Sequence, residues 1–566
     1  MAIAKEWQLC HRDDQRLRRC AHPTNDSPTP QEPSVTRMRP TVRRLAASTA
    51  AAGMLAFAGC SAPATPDGSA GGTTLVVATS DEPDALNPVL NFGVDGAALI
   101  FDGLVARDGD NRLVPGLATA LPTVSTDGRT VTAKLRDGVQ FHDGTTLSAA
   151  DVAFTYQAVL DPKVDSTLRS DLDMVESVTT PDAATVVFRL RYPYAPFLQR
   201  LTLGIVPSKL LSGQDINTTG FNRKPIGTGP YQVESWTPGD RLVLTANERW
   251  FGGRPTNDRV VVAFVADDNV RAQRMRAGEF DAAELPPKLA SGFDADSAYR
   301  VQRVPTADYR GVMLPMGNPV LADPAVRRAL NLAVDRAAMV SGILGGAGEP
   351  AFGPIPPTSE FADPSIVGRP TADPTAAGAL LDAAGWKPGA NGVRVKDGRP
   401  ARFTLMYPAS DTLRKDLALA VTADAKKIGI EVTPAGLTWD AIDPRMKSDA
   451  LLMGYGTPYD PDFVSYKLFS SQFAGQGYFN PGSYRSEVTD RALQQGRDQI
   501  DPALRKVAYA QFQKQLAADV PWLFLTYLRH TYVLKSSVQG AAPRVEAHEH
   551  GVANSIWWNI NTWTRS

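Results

Sequence analysis

The sequence predicts a mixed α/β protein, and three observations carry that reading. Short β-branched runs recur along the chain, they alternate with amphipathic helical patterns instead of closing mostly into tight hairpins, and no fixed-period repeat points to a solenoid.

TTLVVATS, from Thr73 to Ser80, is the first strand, a β-branched run closed by polar residues. TVTAKLR near Thr130, ATVVFRL near Thr185, RLVLTA near Arg241 and RVVVAFV near Arg259 repeat the type. The helices announce themselves by their caps. Ser148 with Asp151 three residues later forms a capping box ahead of Val152, Tyr156 and Val159. DPAVRRALNLAVDRAAMV opens on Asp323 and Pro324 and places Val326, Leu330 and Val334 on one face. DPTAAGALLDAAGW opens on Asp373-Pro374 and stops at Gly385. A further helix ends near Gly429 before a strand, and DPALRKVAYAQFQKQLAADVP opens the last on Asp-Pro.

At 566 residues the chain is too long for one hydrophobic core. Lys and Arg total 59 against 60 Asp and Glu, so no net field draws it to nucleic acid or an anionic membrane. Its three cysteines, Cys10, Cys20 and Cys60, all precede the first strand, which denies the body a disulfide framework or a thiolate metal site.

From Met38 the chain reads as a signal peptide: Arg39, Arg43 and Arg44, an uncharged run from Leu45 to Ala58, then Gly59 and Cys60. The run is shorter than the ~20 residues that span a bilayer. Small residues before Cys60 resemble a bacterial lipobox, with Phe57 where Leu is usual, and imply lipidation of Cys60. Residues 61–72 form a flexible Gly/Ser/Pro tether. The polar residues 1–37 read as an over-extended start or a long leading region, and Leu45-Ala46-Ala47 after the Arg43-Arg44 pair fits twin-arginine export poorly.

LRDGVQFHDGTTLSAADVAFTY (Leu135 to Tyr156), YPYAPFL, IGTGPY, NERWFGG, ADPAVRRALNLAVDR, LLDAAGW and YDPDF succeed one another in an order that resembles the peptide- and nickel-binding solute-binding proteins of ABC importers. The resemblance runs from Thr73 to the C-terminal region. Most of these motifs have a structural purpose: GTGP supplies glycines able to take positive φ beside a rigid proline, and His142 to Thr145 is a turn into the capped helix.

The resemblance implies a bilobal periplasmic-binding-protein fold of type II, in its large three-domain variety, with mixed sheets, flanking helices and hinge crossovers. Lobe I would comprise residues 73–103, 205–305 and 527–566, an inserted domain 104–204, and lobe II 306–526. It further implies an extracytoplasmic monomer, held to the cell membrane by its lipid, that captures an oligopeptide or dipeptide-like solute and delivers it to permease and ATPase subunits, without cofactor, catalysis or nucleic acid.

In peptide-binding relatives a Gly-aromatic segment is followed by an acid that pairs with the ligand's α-amine. The equivalent run here is MGYGTPYDPDF, which puts Gly454, Tyr455 and Gly456 at the aromatic place and Pro458 at the acidic one. Proline cannot pair with an ammonium. Asp460 or Asp462 could substitute, although a DPD turn more often satisfies its own backbone. Tyr459 adjoins them, Trp439 matches an aromatic wall residue, and Phe92 and Tyr309 are further aromatic candidates, with Arg310 ready for a carboxylate or a salt bridge.

Catalytic signatures are missing: no G-x-S-x-G, no HExxH, no phosphate loop and no cysteine after Cys60. His548-Glu549-His550 reads as a solvated loop and not a metal site. Loss of the amine-pairing acid favours, as alternatives, a receptor for a nickel chelator or other non-peptide solute; a sensory lipoprotein on the same fold is a third reading.

Overall fold

The computed structural model describes residues 73–93, 99–366, 368, 371–548 and 556–566. The leader, Cys60 and the tether lie outside the described residues.

Every strand expected from the sequence forms, at Thr74–Thr79, Thr130–Lys134, Thr185–Leu190, Arg241–Ala246 and Arg259–Phe264. Three of them also close a hairpin with the strand before, as Thr130–Lys134 does with Thr123–Val124. Thr185–Leu190 is half of a hairpin with Val175–Asp182, and Arg241–Ala246 pairs in the same way with Tyr231–Thr237.

Two long strands organise the molecule. Tyr299–Met313 and Trp522–Lys535 run antiparallel through the middle of a large mixed sheet. On one side the sheet continues through Ala282–Glu284 and Thr74–Thr79 to Arg259–Phe264; on the other through Ala450–Tyr455 and Arg402–Pro408 to Glu431–Leu437. Their register shifts between Pro305 and Tyr309, so the ladder is interrupted where the strands pass from one half to the other.

The cores divide at the same place. Val304, Tyr532 and Leu534 belong to an apolar cluster built from residues before Pro305 and after Thr531. Leu523 and Leu525 face a second cluster, while Trp522 and Phe524, on the opposite face of the same strand, belong to a third. Alternation along a strand buried on both faces explains why WLFLTYL contains almost no polar residue.

Between the first strand and the large sheet's outer hairpin the chain makes a separate antiparallel sheet, ordered Thr123–Val124, Thr130–Lys134, Thr185–Leu190, Val175–Asp182. The helix Ala149–Leu160 covers it, with Tyr156 edge-on to Phe188 at 4.9 Å. Its capping box is formed: the Ser148 amide donates to Asp151 at 2.9 Å. Asp323, Asp373 and Asp501 each accept from a backbone amide at the start of their helices, as the Asp-Pro pattern predicts.

The run from Asp323 to Val340 is two helices instead of one, Pro324–Ala333 and Arg336–Gly342. Asp335 caps the second, and its neighbour Arg336 turns inward to donate to the carbonyls of Ala351 and Phe524, which a continuous helix would not permit.

The glycines of IGTGPY act differently from expectation. Neither Gly227 nor Gly229 has a positive φ. A Cβ on Gly227 would stand 2.0 Å from the Ile100 carbonyl oxygen, and one on Gly229 2.6 Å from the Ile100 carbonyl carbon, so close approach of two chains is what excludes a side chain. His142 closes the same junction. Its Nδ1 accepts from the Gly227 amide at 3.1 Å, while Nε2 faces the Gly229 carbonyl at 3.1 Å. That pattern is a neutral imidazole protonated on Nε2, and burial holds its pKa down at about 4.

Candidate functional site

Where the two long strands change halves, Ala450–Tyr455 joins them, and the register aligns Tyr455, Tyr309 and Tyr527 across three strands. Residues in register project to one face, so these form an aromatic row. Tyr309 sits in its centre, fully buried, with its ring 5.2 Å from Phe524 and 6.3 Å from both Trp522 and Tyr527. Burial, followed by the neighbouring Tyr455 and Tyr527, raises its phenol well above the ordinary value. The Tyr309 and Thr526 hydroxyls have no hydrogen-bond partner among the described residues, although both are buried.

Tyr455 is the half-buried member of the row. Its hydroxyl donates to the Tyr478 carbonyl at 3.3 Å, and its ring lies 6.1 Å from Trp522 and 6.4 Å from His548. The flanking glycines let this strand approach its neighbour. A Cβ on Gly454 would meet the Arg310 guanidinium at 2.5 Å, and Gly456, at φ +149°, lies against the Ala307 carbonyl. Trp439 is half-buried and edge-on to Tyr478 at 5.6 Å, extending the aromatic surface from Tyr455.

Below the row the strand interruption holds a dense ionic group. Asp308 binds Arg310 and accepts from His548 Nδ1 at 2.7 Å, while His530 Nδ1 meets Glu546 at 2.7 Å. Burial opposes charge on Asp308, yet Arg310 and His548 hold its carboxyl well below the usual range. Burial likewise opposes charge on His530, but the facing carboxylates of Asp308 and Glu546 prevail and lift it to about 9. His548 therefore is no solvated loop residue: it is bound to Asp308, with only 13% of its side chain exposed. Glu549 and His550 lie outside the described residues. Arg310 takes the salt-bridge alternative.

The other expected site residues fall in two groups. Phe92 is buried in the first core, edge-on to Phe101 at 6.4 Å, and its packing is that of a core residue. Asp460 is buried too; both its oxygens accept from Arg505, and it caps the Asp462 amide at 3.0 Å. Its charge is thus already matched inside the protein, as a DPD turn predicts. Asp462 accepts from the Tyr194 hydroxyl at 2.6 Å. Tyr459 keeps a half-buried ring, with the Arg107 guanidinium 3.6 Å above its centre. Tyr455, Trp439 and Tyr459 thus retain ring surface, whereas Tyr309, Phe92 and Asp460 are enclosed.

Sequence reasoning missed Tyr527, Thr526 and Trp522. The apolar run that contains them signals a buried strand, but nothing local says that it lies beside Tyr309.

The described residues contain no cluster of histidine, cysteine and carboxylate suited to a metal ion. His142, His530 and His548 are each engaged by protein groups.

Residues 112–476 match the family model described as bacterial extracellular solute-binding proteins, family 5 middle. The chain is 48% identical to Protein XP55 of Streptomyces lividans, over 90% of this chain and 94% of that one. Among solved structures, NikZ from Campylobacter jejuni in complex with Ni(L-His) superposes with a TM-score of 0.77 at 31% identity, covering 87% of this chain and 99% of that one. The oligopeptide-binding protein AppA from Bacillus subtilis, in complex with a nonapeptide, gives a TM-score of 0.71 at 27% identity, with the same coverage.

Proposed function

This chain belongs to the bacterial extracellular solute-binding proteins of family 5, and from that premise we propose that it captures a short peptide-like solute between two lobes and delivers it, unaltered, to an ABC importer. The observation that carries the reading is the pair of long strands whose cores change at Pro305–Tyr309, with Tyr455 beside the change. Interrupted pairing at the place where the two halves share a sheet is where a hinge bends at least cost.

Lobe I would hold residues 73–103, 205–305 and 527–566, and lobe II residues 306–526, with 104–204 inserted; the change of apolar cluster near Pro305 supports the division between the lobes, while 104–204 shares one cluster with lobe I. The solute-facing residues would be Trp439, Tyr455 and Tyr459, shaped by Gly454 and Gly456. Tyr309, enclosed beneath them, would support this surface from the core without touching the solute. A solute held by its backbone against such a surface gains affinity with wide side-chain tolerance. The export leader and a lipid on Cys60 would keep the protein at the outer face of the membrane.

A nickel–chelate solute is the second reading, favoured by Pro458 in the place of an amine-pairing acid and by likeness to NikZ. Mass spectrometry of whatever co-purifies, with metal analysis and calorimetry of the recovered compound, tests both. A peptide supports the first reading, a nickel complex the second, and turnover of the compound by the pure protein contradicts either.

A further inference from the structure

The seam between residues 104–204 and the turn and helix after Tyr455 is bridged by polar and cation–ring contacts, with Met174, Phe463 and Phe473 among its lining. The Tyr194 hydroxyl donates to Asp462 at 2.6 Å, and Lys467 donates to Asp171 at 2.5 Å and to Ser170 at 3.1 Å. The Arg200 guanidinium lies 3.5 Å over the Phe463 ring, and Arg107 lies over Tyr459. A cavity of about 290 Å³ occupies the same seam, lined from both sides. Tyr194 and Asp462 are 3% and 5% exposed, so their bond is no ordinary surface pair.

Each half of the seam also carries its own counter-charge. Asp462 has Arg497 on its own side, 3.3 Å away, and Asp171 has Arg200 on its side at 3.6 Å. Both carboxylates would therefore stay neutralised if the seam parted, and neither half would have to be rebuilt before it met the other again. Such an arrangement differs from a core. An apolar seam would resist rehydration, whereas polar groups that exchange one another for water separate at small net cost.

We infer that the inserted segment 104–204 is a second jaw of the closing movement, and that Tyr194–Asp462 with Lys467–Asp171 is a reversible latch holding the solute-bound form shut. The inference rests on the proposed closure around a solute, but it assigns the inserted segment a task of its own. The latch adds to the stability of the closed state alone, so it sets how tightly any solute is kept, independent of that solute's chemistry.

Small-angle scattering of the protein as purified tests it, comparing the natural chain with Tyr194→Phe, Asp462→Asn and the double variant. Removing the charged hydrogen bond should shift the closed-to-open ratio by about ten-fold or more toward open, seen as a larger radius of gyration, with the double variant no more open than Asp462→Asn alone. Curves that superimpose for the natural chain and the double variant overturn the latch. Should Asp462→Asn fail to fold, Tyr194→Phe combined with Lys467→Met makes the same comparison while leaving Asp462 in place and Asp171 still paired with Arg200. Mass spectrometry on the same samples separates the two claims: a bound solute with unmoved scattering removes the latch alone, whereas moved scattering with no solute ever recovered supports the latch and counts against transport.

Discussion

Arg505 Nη2 donates to both carboxylate oxygens of Asp460, at 2.9 and 2.7 Å, with each side chain less than one-tenth exposed. The pair ties the last long helix, Pro502–Asp519, to the turn after Tyr455. Removing one member strands the other's charge in a dry place, so Arg505→Ala should lower stability by about 3–5 kcal/mol. Urea unfolding measures this. A loss under about 1 kcal/mol, the scale of an exposed pair, would mean that Asp460 is free to meet a ligand's ammonium after all.

His142 makes stability depend on pH in a defined window. Its folded pKa is about 4, below the ordinary 6.5, because burial disfavours the cation. Between those values the unfolded chain binds a proton that the folded one refuses, so the contribution present above pH 6.5 is lost as pH falls toward 4, by up to about 3 kcal/mol. Denaturant titrations at roughly pH 7, 5.5 and 4.5 should show the decline, and His142→Gln should flatten it. A slope unaltered by that substitution would place the titration elsewhere.

Asp102 should act in the opposite sense. Burial raises its carboxyl to about 6, against hydrogen bonds from Thr228 at 2.9 Å and Trp250 at 3.3 Å that favour the anion. The folded state therefore holds a proton between pH 3.8 and 6 that the unfolded chain has released, and this support, full below 3.8, disappears as pH rises through 6. Asp102→Asn should stabilise the protein near pH 8 by about 1–3 kcal/mol and by much less near pH 4. Thermal melts of the two proteins across that range provide the measurement, and equal melting temperatures at the alkaline end would contradict it.

What the sequence made legible was local. Asp-Pro openings, the Ser148 capping box and the glycine stops at Gly385 and Gly429 depend on a few neighbouring residues, and each appears where expected. Partnerships across the chain were not legible. His142 and Gly227 are 85 residues apart, and His548 reaches Asp308 across 240, so a histidine in a polar stretch looked solvated when it was bound. Asp335 was hidden for another reason, since the apolar period continues through it and only the inward course of Arg336 reveals the break. At the site, the aromatic candidates Tyr455 and Trp439 came from the resemblance, and Phe92 and Tyr309 were added as single residues. Which of them is enclosed and which keeps ring surface depends on the strands beside them, and Tyr309 and Tyr455, paired in register, divide on that ground.

That division supplies the last prediction. Tyr455 keeps exposed ring surface and one long hydrogen bond to Tyr478, whereas Tyr309 is enclosed by Trp522, Phe524 and Tyr527. Tyr455→Ala should therefore weaken binding of the co-purified solute by about ten-fold, as loss of an aromatic contact does, with little effect on unfolding. Tyr455→Phe should keep most of the affinity, because the ring and not the hydroxyl supplies the contact. Tyr309→Ala should instead open a cavity in the third core and cost about 3–5 kcal/mol of stability. Calorimetry and urea unfolding on the three variants distinguish the roles: if Tyr455→Ala binds as tightly as the natural chain, Tyr455 is not a wall of the site, and the solute must rest against Trp439 or Tyr459.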